Sequence, residues 1–285
     1  MRFRYRGVEF GGLGDLVVES FDPGAVQMST SDVDRANRDG VRPGRDFMRG
    51  RTWAFNLASN RDDLTGALAT LAELESVWTA EDVRMTPLRV EPLSYELDGR
   101  WRRVYGRPGK FAGPVGNVRA RSGVGLAVMD FRVMDHLHYD EDESLVSLSI
   151  VPATVGGLVA PLKAPLTSVR SGAPRAGLVQ NLGNAPTPLK ATFFGPSTDP
   201  WVRAADGWEI GLTGSLAFDV DVTVDALEGT VTRNDGTPVN GMLSRATRLS
   251  GSRLPVGGSE LTFGGTDQTG TARVELRWRN ASTSI

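Results

Sequence analysis

Leu178-Val-Gln-Asn-Leu-Gly-Asn-Ala-Pro-Thr-Pro-Leu-Lys-Ala-Thr-Phe-Phe-Gly195 decides how this chain reads. Short apolar runs are broken by Asn, Gly and Pro, residues that turn the backbone. The pattern continues to Ala272-Arg-Val-Glu-Leu-Arg-Trp-Arg279. There Val274, Leu276 and Trp278 fall on one face, and Arg273, Glu275, Arg277 and Arg279 on the other. A period of two marks a half-buried strand. Phe218, Val220, Val222 and Val224 alternate with Asp219, Asp221, Thr223 and Asp225 in the same way, and Asn234-Asp-Gly236 supplies a hairpin turn. Several short strands at this spacing predict an antiparallel β-sandwich over residues 176–285.

Working back toward the N-terminus, Pro152, Pro161, Pro165 and Pro174 occur with Gly156, Gly157 and Gly172 in a stretch poor in charge. Such a composition predicts a semi-rigid linker over 151–175. Residues 1–150 then form a separate domain. Phe3 and Tyr5 alternate with Arg2, Arg4 and Arg6, and Trp53, Phe55 and Leu57 share a face, so both segments read as strands. Between them, Gln27 to Arg51 is polar, charged and without period, which predicts a projecting loop. Leu64, Leu68, Leu71 and Trp78, widened by Leu74, form one stripe of a helix, with Asn60 placed to cap it and Asp62 and Asp63 near its positive end. Val83 to Val90, Ser94 to Leu97, Trp101 to Tyr105 and Val124 to Val133 read as strands, with a hairpin at Asp98-Gly99 and a Gly/Pro loop over 106–116. The expected fold class is mainly β: an α+β N-terminal domain with one helix, and a C-terminal antiparallel sandwich.

The totals narrow the function. The chain has 285 residues, more than one typical core, and no apolar run of membrane-spanning length. Behind the basic start Met1 to Arg6 there is no apolar stretch of signal-peptide length, which argues against export by that route. The absence of Cys excludes disulfides and thiolate metal sites. A net charge of −2 gives no field for nonspecific nucleic-acid binding. Lysine occurs only at Lys110, Lys163 and Lys190. A GC-rich genome accounts for that bias, and the rigid arginine fork also suits protein interfaces. Charges of both signs crowd residues 1–150, a surface suited to registered contact with other subunits.

Chemistry is hard to find in the residues. His136 and His138, with Asp135 or Asp140, offer metal ligands at a weak spacing, and a structural role weighs more heavily. Asp140-Glu-Asp-Glu143 lacks the glycine-kinked ladder of calcium loops. Gly106-Arg-Pro-Gly-Lys110 is too short for a phosphate loop, and Phe111 stands where Ser or Thr would bind magnesium. Asp219 with Asp221, or Glu141 with Glu143, are carboxylate pairs that a glycosidase would need to oppose across a cleft. No enzyme activity, cofactor or metal is expected. Trp201 and Trp208 flank a hairpin at Arg203-Ala-Ala-Asp-Gly207, and exposed aromatics there would stack on sugar rings; packing in the core or rim is the competing role.

Asn181-Leu-Gly-Asn184 followed by Thr187-Pro188, an apolar strand ending at Gly195, and Pro200 resembles the start of the C-terminal domain of siphophage distal tail proteins (Dit). Trp208-Glu-Ile-Gly-Leu212, Leu216 to Val224, the turn near Asn234 and Leu254 to Phe263 continue the resemblance, with Ser259 where the family run carries Asn. It covers about residues 176–280 by motif and 1–150 by layout. The resemblance implies a split-barrel N-terminal domain that assembles as a ring, expected to be a hexamer. The ring joins the tail-tube protein to the tail-tip hub or tail-associated protein. The C-terminal domain is implied to be galectin-like and to bear receptor-binding proteins or touch host saccharide. The expected location is the virion, at the tail tip, after synthesis in the host cytoplasm. The Ser31–Arg51 loop is the expected contributor to one ring contact. A carbohydrate-binding sandwich at Trp201 and Trp208 is the alternative, and an accessory glycosidase the third reading.

Overall fold

The computed structural model describes residues 1–113, 124–150, 175–267 and 269–284. Its contacts divide the chain into two compact units, Met1–Glu141 with Ser282–Ile285, and Asp142–Ala281. Both are built mainly from antiparallel strands. Among the described residues no helix is long and apolar enough to cross a membrane.

The first unit contains β1 (Arg2–Tyr5), β2 (Val8–Gly11), β3 (Leu16–Asp22), β4 (Arg51–Asn60), α1 (Leu64–Trp78), α2 (Glu81–Met85), β5 (Glu91–Leu97), β6 (Arg100–Ala112), β7 (Val124–Val133) and β8 (His138–Asp140). The sheet runs β2-β1-β5-β6-β7-β4-β3, and β8 pairs with β6. It curls on itself. Phe3 of β1 lies 5.1 Å from Phe21 of β3 and 5.0 Å from Phe55 of β4, although those strands sit at opposite ends of the ladder order. The inward rows are those the alternation marks: Phe3, Tyr5, Trp53, Phe55 and Leu57 are all buried. Each such side chain contributes roughly 1.5–3 kcal/mol by leaving water. Trp78 at the end of α1 packs edge-on against Tyr5 and Phe10 and tilted against Phe131, and so ties the helix to this split-barrel-like core.

The second unit contains β9 (Ser144–Ser149), β10 (Arg175–Asn181), β11 (Lys190–Phe194), β12 (Ser197–Ala204), β13 (Glu209–Gly211), β14 (Asp221–Asp225), β15 (Thr230–Arg233), β16 (Gly257–Thr266) and β17 (Arg273–Trp278). One sheet runs β9-β17-β11-β14-β15 and the other β10-β16-β12-β13. Their inner faces share one core, in which Phe193 of the first sheet meets Phe263 of the second at 6.3 Å. Val274, Leu276 and Trp278 face inward as the alternation requires.

Several expectations need correction. The cap of α1 is Asp63, whose carboxylate accepts from Gly66 N at 2.7 Å; Asn60 instead ends β4, its own N–H donating to Asp15 O. The buried stripe is Ala67, Thr70, Leu71, Leu74 and Trp78, while Leu64 and Leu68 are exposed. The first shift follows from β4 running on to Asn60; the second is a rotation of the buried face, set by packing on the sheet, toward Ala67, Thr70 and Leu74. The segment from Val83 begins inside the short helix α2, where Glu81 and Asp82 complement the helix start. Residues 106–112 continue β6 where a loop was expected. A Cβ on Gly106 would meet Arg132 O at 2.2 Å, so that glycine permits close strand approach and marks no turn. Phe218 lies before β14 and is exposed. Ser144–Ser149, counted with the N-terminal domain, pairs along its length with Arg273–Trp278 and belongs to the second unit. The linker expected at 151–175 lies, apart from Arg175, outside the described residues. The Asp98-Gly99 hairpin forms as read, with both residues at positive φ between Leu97 and Arg100.

Candidate functional site

The feature that stands apart from both cores is the segment between β3 and β4. The expected loop is a β-arm. Met28-Ser29 pairs with Phe47-Met48, and Val33-Asp34 with Val41-Arg42. Arg49 N donates to Gln27 O at 2.8 Å, and Gly44 N to Asp32 Oδ1 at 2.9 Å. Gly44 leaves no room for a side chain, since a Cβ there would reach Ser31 O at 2.1 Å. Asn37 and Gly40, both at positive φ, turn the tip.

From Ala25 to Gly50 every residue is exposed except half-buried Ser29. Met28, Val33, Val41, Phe47 and Met48 therefore present apolar surface to solvent; Phe47 is 61% exposed. Single exposed apolar residues are ordinary, and here they are divided between the two faces of the arm: Met28 lies opposite Met48 on one face and Phe47 opposite Ser29 on the other. The sequence pattern showed the projection. It concealed the pairing, because two-residue ladders leave no period to read.

The two tryptophans proposed for saccharide lie in the second unit. Trp201 is half-buried on the outer side of β12, where its cross-strand partners are Gly211 and Gly264. Its indole lies against Gly264, and the Arg203 guanidinium stands 4.6 Å from its centroid while bound to Glu209. Trp208 is half-buried and packs against the sandwich core.

The histidines are not brought together as a ligand pair. His138 is buried in β8, with Tyr95 Oη 2.7 Å from Nδ1 and the Arg51 guanidinium on Nε2. His136 sits in the preceding bend beside Asp135, at 3.1 Å. Burial, with Arg51 and Arg102 nearby, pushes the His138 pKa down to about 4. The acidic tetrapeptide disperses too: Glu141 is held by Arg103 and Ser94, and Glu143 by Arg277 and Arg279. Among the described residues no group of three or more His, Asp or Glu side chains is arranged to hold a metal ion.

With this geometry in view, solved structures provide the comparison. The SPP1 Dit (gp 19.1) protein, described as a paradigm of the hub adsorption apparatus in phages infecting Gram-positive hosts, matches with a TM-score of 0.59 over 98% of each chain at 13% identity. A chain of the phage P2 baseplate in its activated conformation with Ca matches at 0.53 over 97% of each, with 10% identity. The Sr form of that baseplate matches at 0.52, covering 97% of this chain and 96% of the other, also at 10%. This chain has the fold of phage Dit and baseplate proteins. No family model matches it, and no curated protein is similar in sequence.

Proposed function

We propose that this chain is a structural component of a phage tail tip or baseplate, located in the virion and acting by contact alone. In this reading the first unit assembles as a closed ring, a hexamer, that joins the tail tube to the tail-tip hub. The second unit offers its sandwich surface to receptor-binding proteins. The observation that carries the proposal is the likeness in fold to phage Dit and baseplate chains over essentially the whole length. The arm supports it independently. Ordering a backbone costs about 1–2 kcal/mol per residue, and this arm buries almost nothing in its own chain to offset that cost. A ring closed by rotation needs two different complementary patches per copy, and the arm supplies one. Electron microscopy and light scattering of the purified chain test this. Rings are expected; a strict monomer at high micromolar concentration, with no ring beside its tail-tube partner, sinks it.

A second reading, saccharide contact, is favoured at Trp201 by one observation. A cavity of about 380 Å³ beside the indole is lined by Thr198, Asp199 and Thr266, which offer hydroxyl and carboxylate groups to a neutral sugar. Saturation-transfer NMR with neutral oligosaccharides checks it, and absence of transfer at millimolar sugar would remove it.

A further inference from the structure

Arg107 of β6 and Arg132 of β7 are direct cross-strand partners. Like charges in that position repel and destabilise a sheet. Arg84 of α2 joins them around a pocket of about 370 Å³ whose apolar wall includes Trp78 and Val83. Elsewhere in this unit Arg2, Arg4, Arg6, Arg61, Arg89 and Arg103 each bind a carboxylate. Among the described residues no carboxylate lies within 4.0 Å of Arg84, Arg107 or Arg132. Of the neighbouring acids, Asp82 pairs with Arg6 and Arg89, Asp130 accepts from the Lys110 N–H, and Glu81 forms no ion pair. Arg107 is fixed by donating to the carbonyls of Thr86 and Arg89. Arg84, Arg107 and Arg132 thus line one part-apolar cavity, Arg84 and Arg132 exposed and Arg107 held by backbone carbonyls, with no carboxylate paired to any of them.

We propose that this pocket binds a carboxylate, and that the carboxylate comes from the arm of a second copy of this chain. The inference rests on the ring reading and deepens it by naming the other patch. The arm is net basic, with five arginines and four aspartates over residues 25–50, but two of those aspartates offer a carboxylate: Asp39 and Asp46 are exposed and form no ion pair, and Asp46 adjoins exposed Phe47. Carboxylate on the arginine fork with an aromatic ring on the apolar wall satisfies both halves of the pocket.

The test uses the full chain. Succinate, compared with NaCl at equal ionic strength, is expected to raise the wild-type Tm and to leave R84E/R132E unchanged. That variant relieves the repulsion at exposed positions, so it folds, and its Tm in low salt verifies this. Its self-association is expected to weaken at least about tenfold, a typical loss for a buried charge contact. Adding D39R/D46R to the same chain restores assembly, since arm and pocket then carry exchanged charges; Arg245→Glu in the second unit is the neutral control. Equal succinate stabilisation of both proteins, or undiminished assembly of R84E/R132E, overturns the proposal. A wild type that never associates defeats the ring reading and the arm's role, while the succinate measurement still decides whether the pocket binds carboxylate.

Discussion

The Arg51 guanidinium donates to Nε2 of His138, and this contact requires a neutral imidazole. With Nε2 accepting, the ring proton lies on Nδ1 and is donated to Tyr95 Oη. Protonating Nε2 would set two cations against each other inside the first unit. The folded pKa of about 4 lies below the ordinary 6.5. The unfolded chain therefore binds more protons between those values, and stability rises with pH there. The contribution is fully present above about pH 6.5 and is lost as the pH falls toward 4. Its ceiling is roughly 3 kcal/mol. Denaturant unfolding from pH 7 to 4 should show this loss, and His138→Gln should flatten the slope; a slope unchanged by the substitution would contradict it.

Trp201 and Gly264 predict a second effect. A Cβ on Gly264 would come within 2.2 Å of the indole Cζ2, so Gly264→Ala must displace the ring. Overpacking of this kind costs about 1–3 kcal/mol. The cost should shrink in the double variant with Trp201→Ala, as expected for neighbours that interact directly. Additive losses in a double-mutant cycle would show that the ring does not hold this position.

The cap gives a contrast between two nearby residues. Asp63→Ala removes the acceptor of Gly66 N and should cost about 1 kcal/mol. Asn60→Ala touches no cap and should stay within about 0.5 kcal/mol. Equal losses in chemical denaturation would return the cap to Asn60.

The arm should separate stability from assembly. Phe47 and Met48 are exposed, so F47S/M48S should change unfolding free energy by less than about 0.5 kcal/mol. Self-association, read by sedimentation, should fall about tenfold or more if these are anchors. A variant that loses its fold, or one that assembles like wild type, contradicts this assignment.

Legibility followed periodicity. The rows Phe3 and Tyr5, Trp53 to Leu57 and Val274 to Trp278 were readable, since alternation over a strand states which side chains leave water. The start of α1 was not, because Asn60, Asp62 and Asp63 are all plausible caps and only the end of β4 chooses among them. Gly106 read as a turn for a similar reason: a glycine needed for close approach to a carbonyl on β7 has the same letter as one needed for a bend. The expected arm contact was visible only as polar sequence, and the faces on which its exposed apolar residues lie only once the ladders were placed.

By itself the sequence determined the strand-rich class, the sandwich over its last third, the single long helix and the projection near residue 40, each through local pattern and turn chemistry. Tertiary structure alone decided that the first sheet curls, that Ser144–Ser149 joins the second unit, and that Arg84, Arg107 and Arg132 surround one pocket. Those facts depend on which strands lie side by side, and strand pairing joins residues far apart in the chain that no local pattern relates.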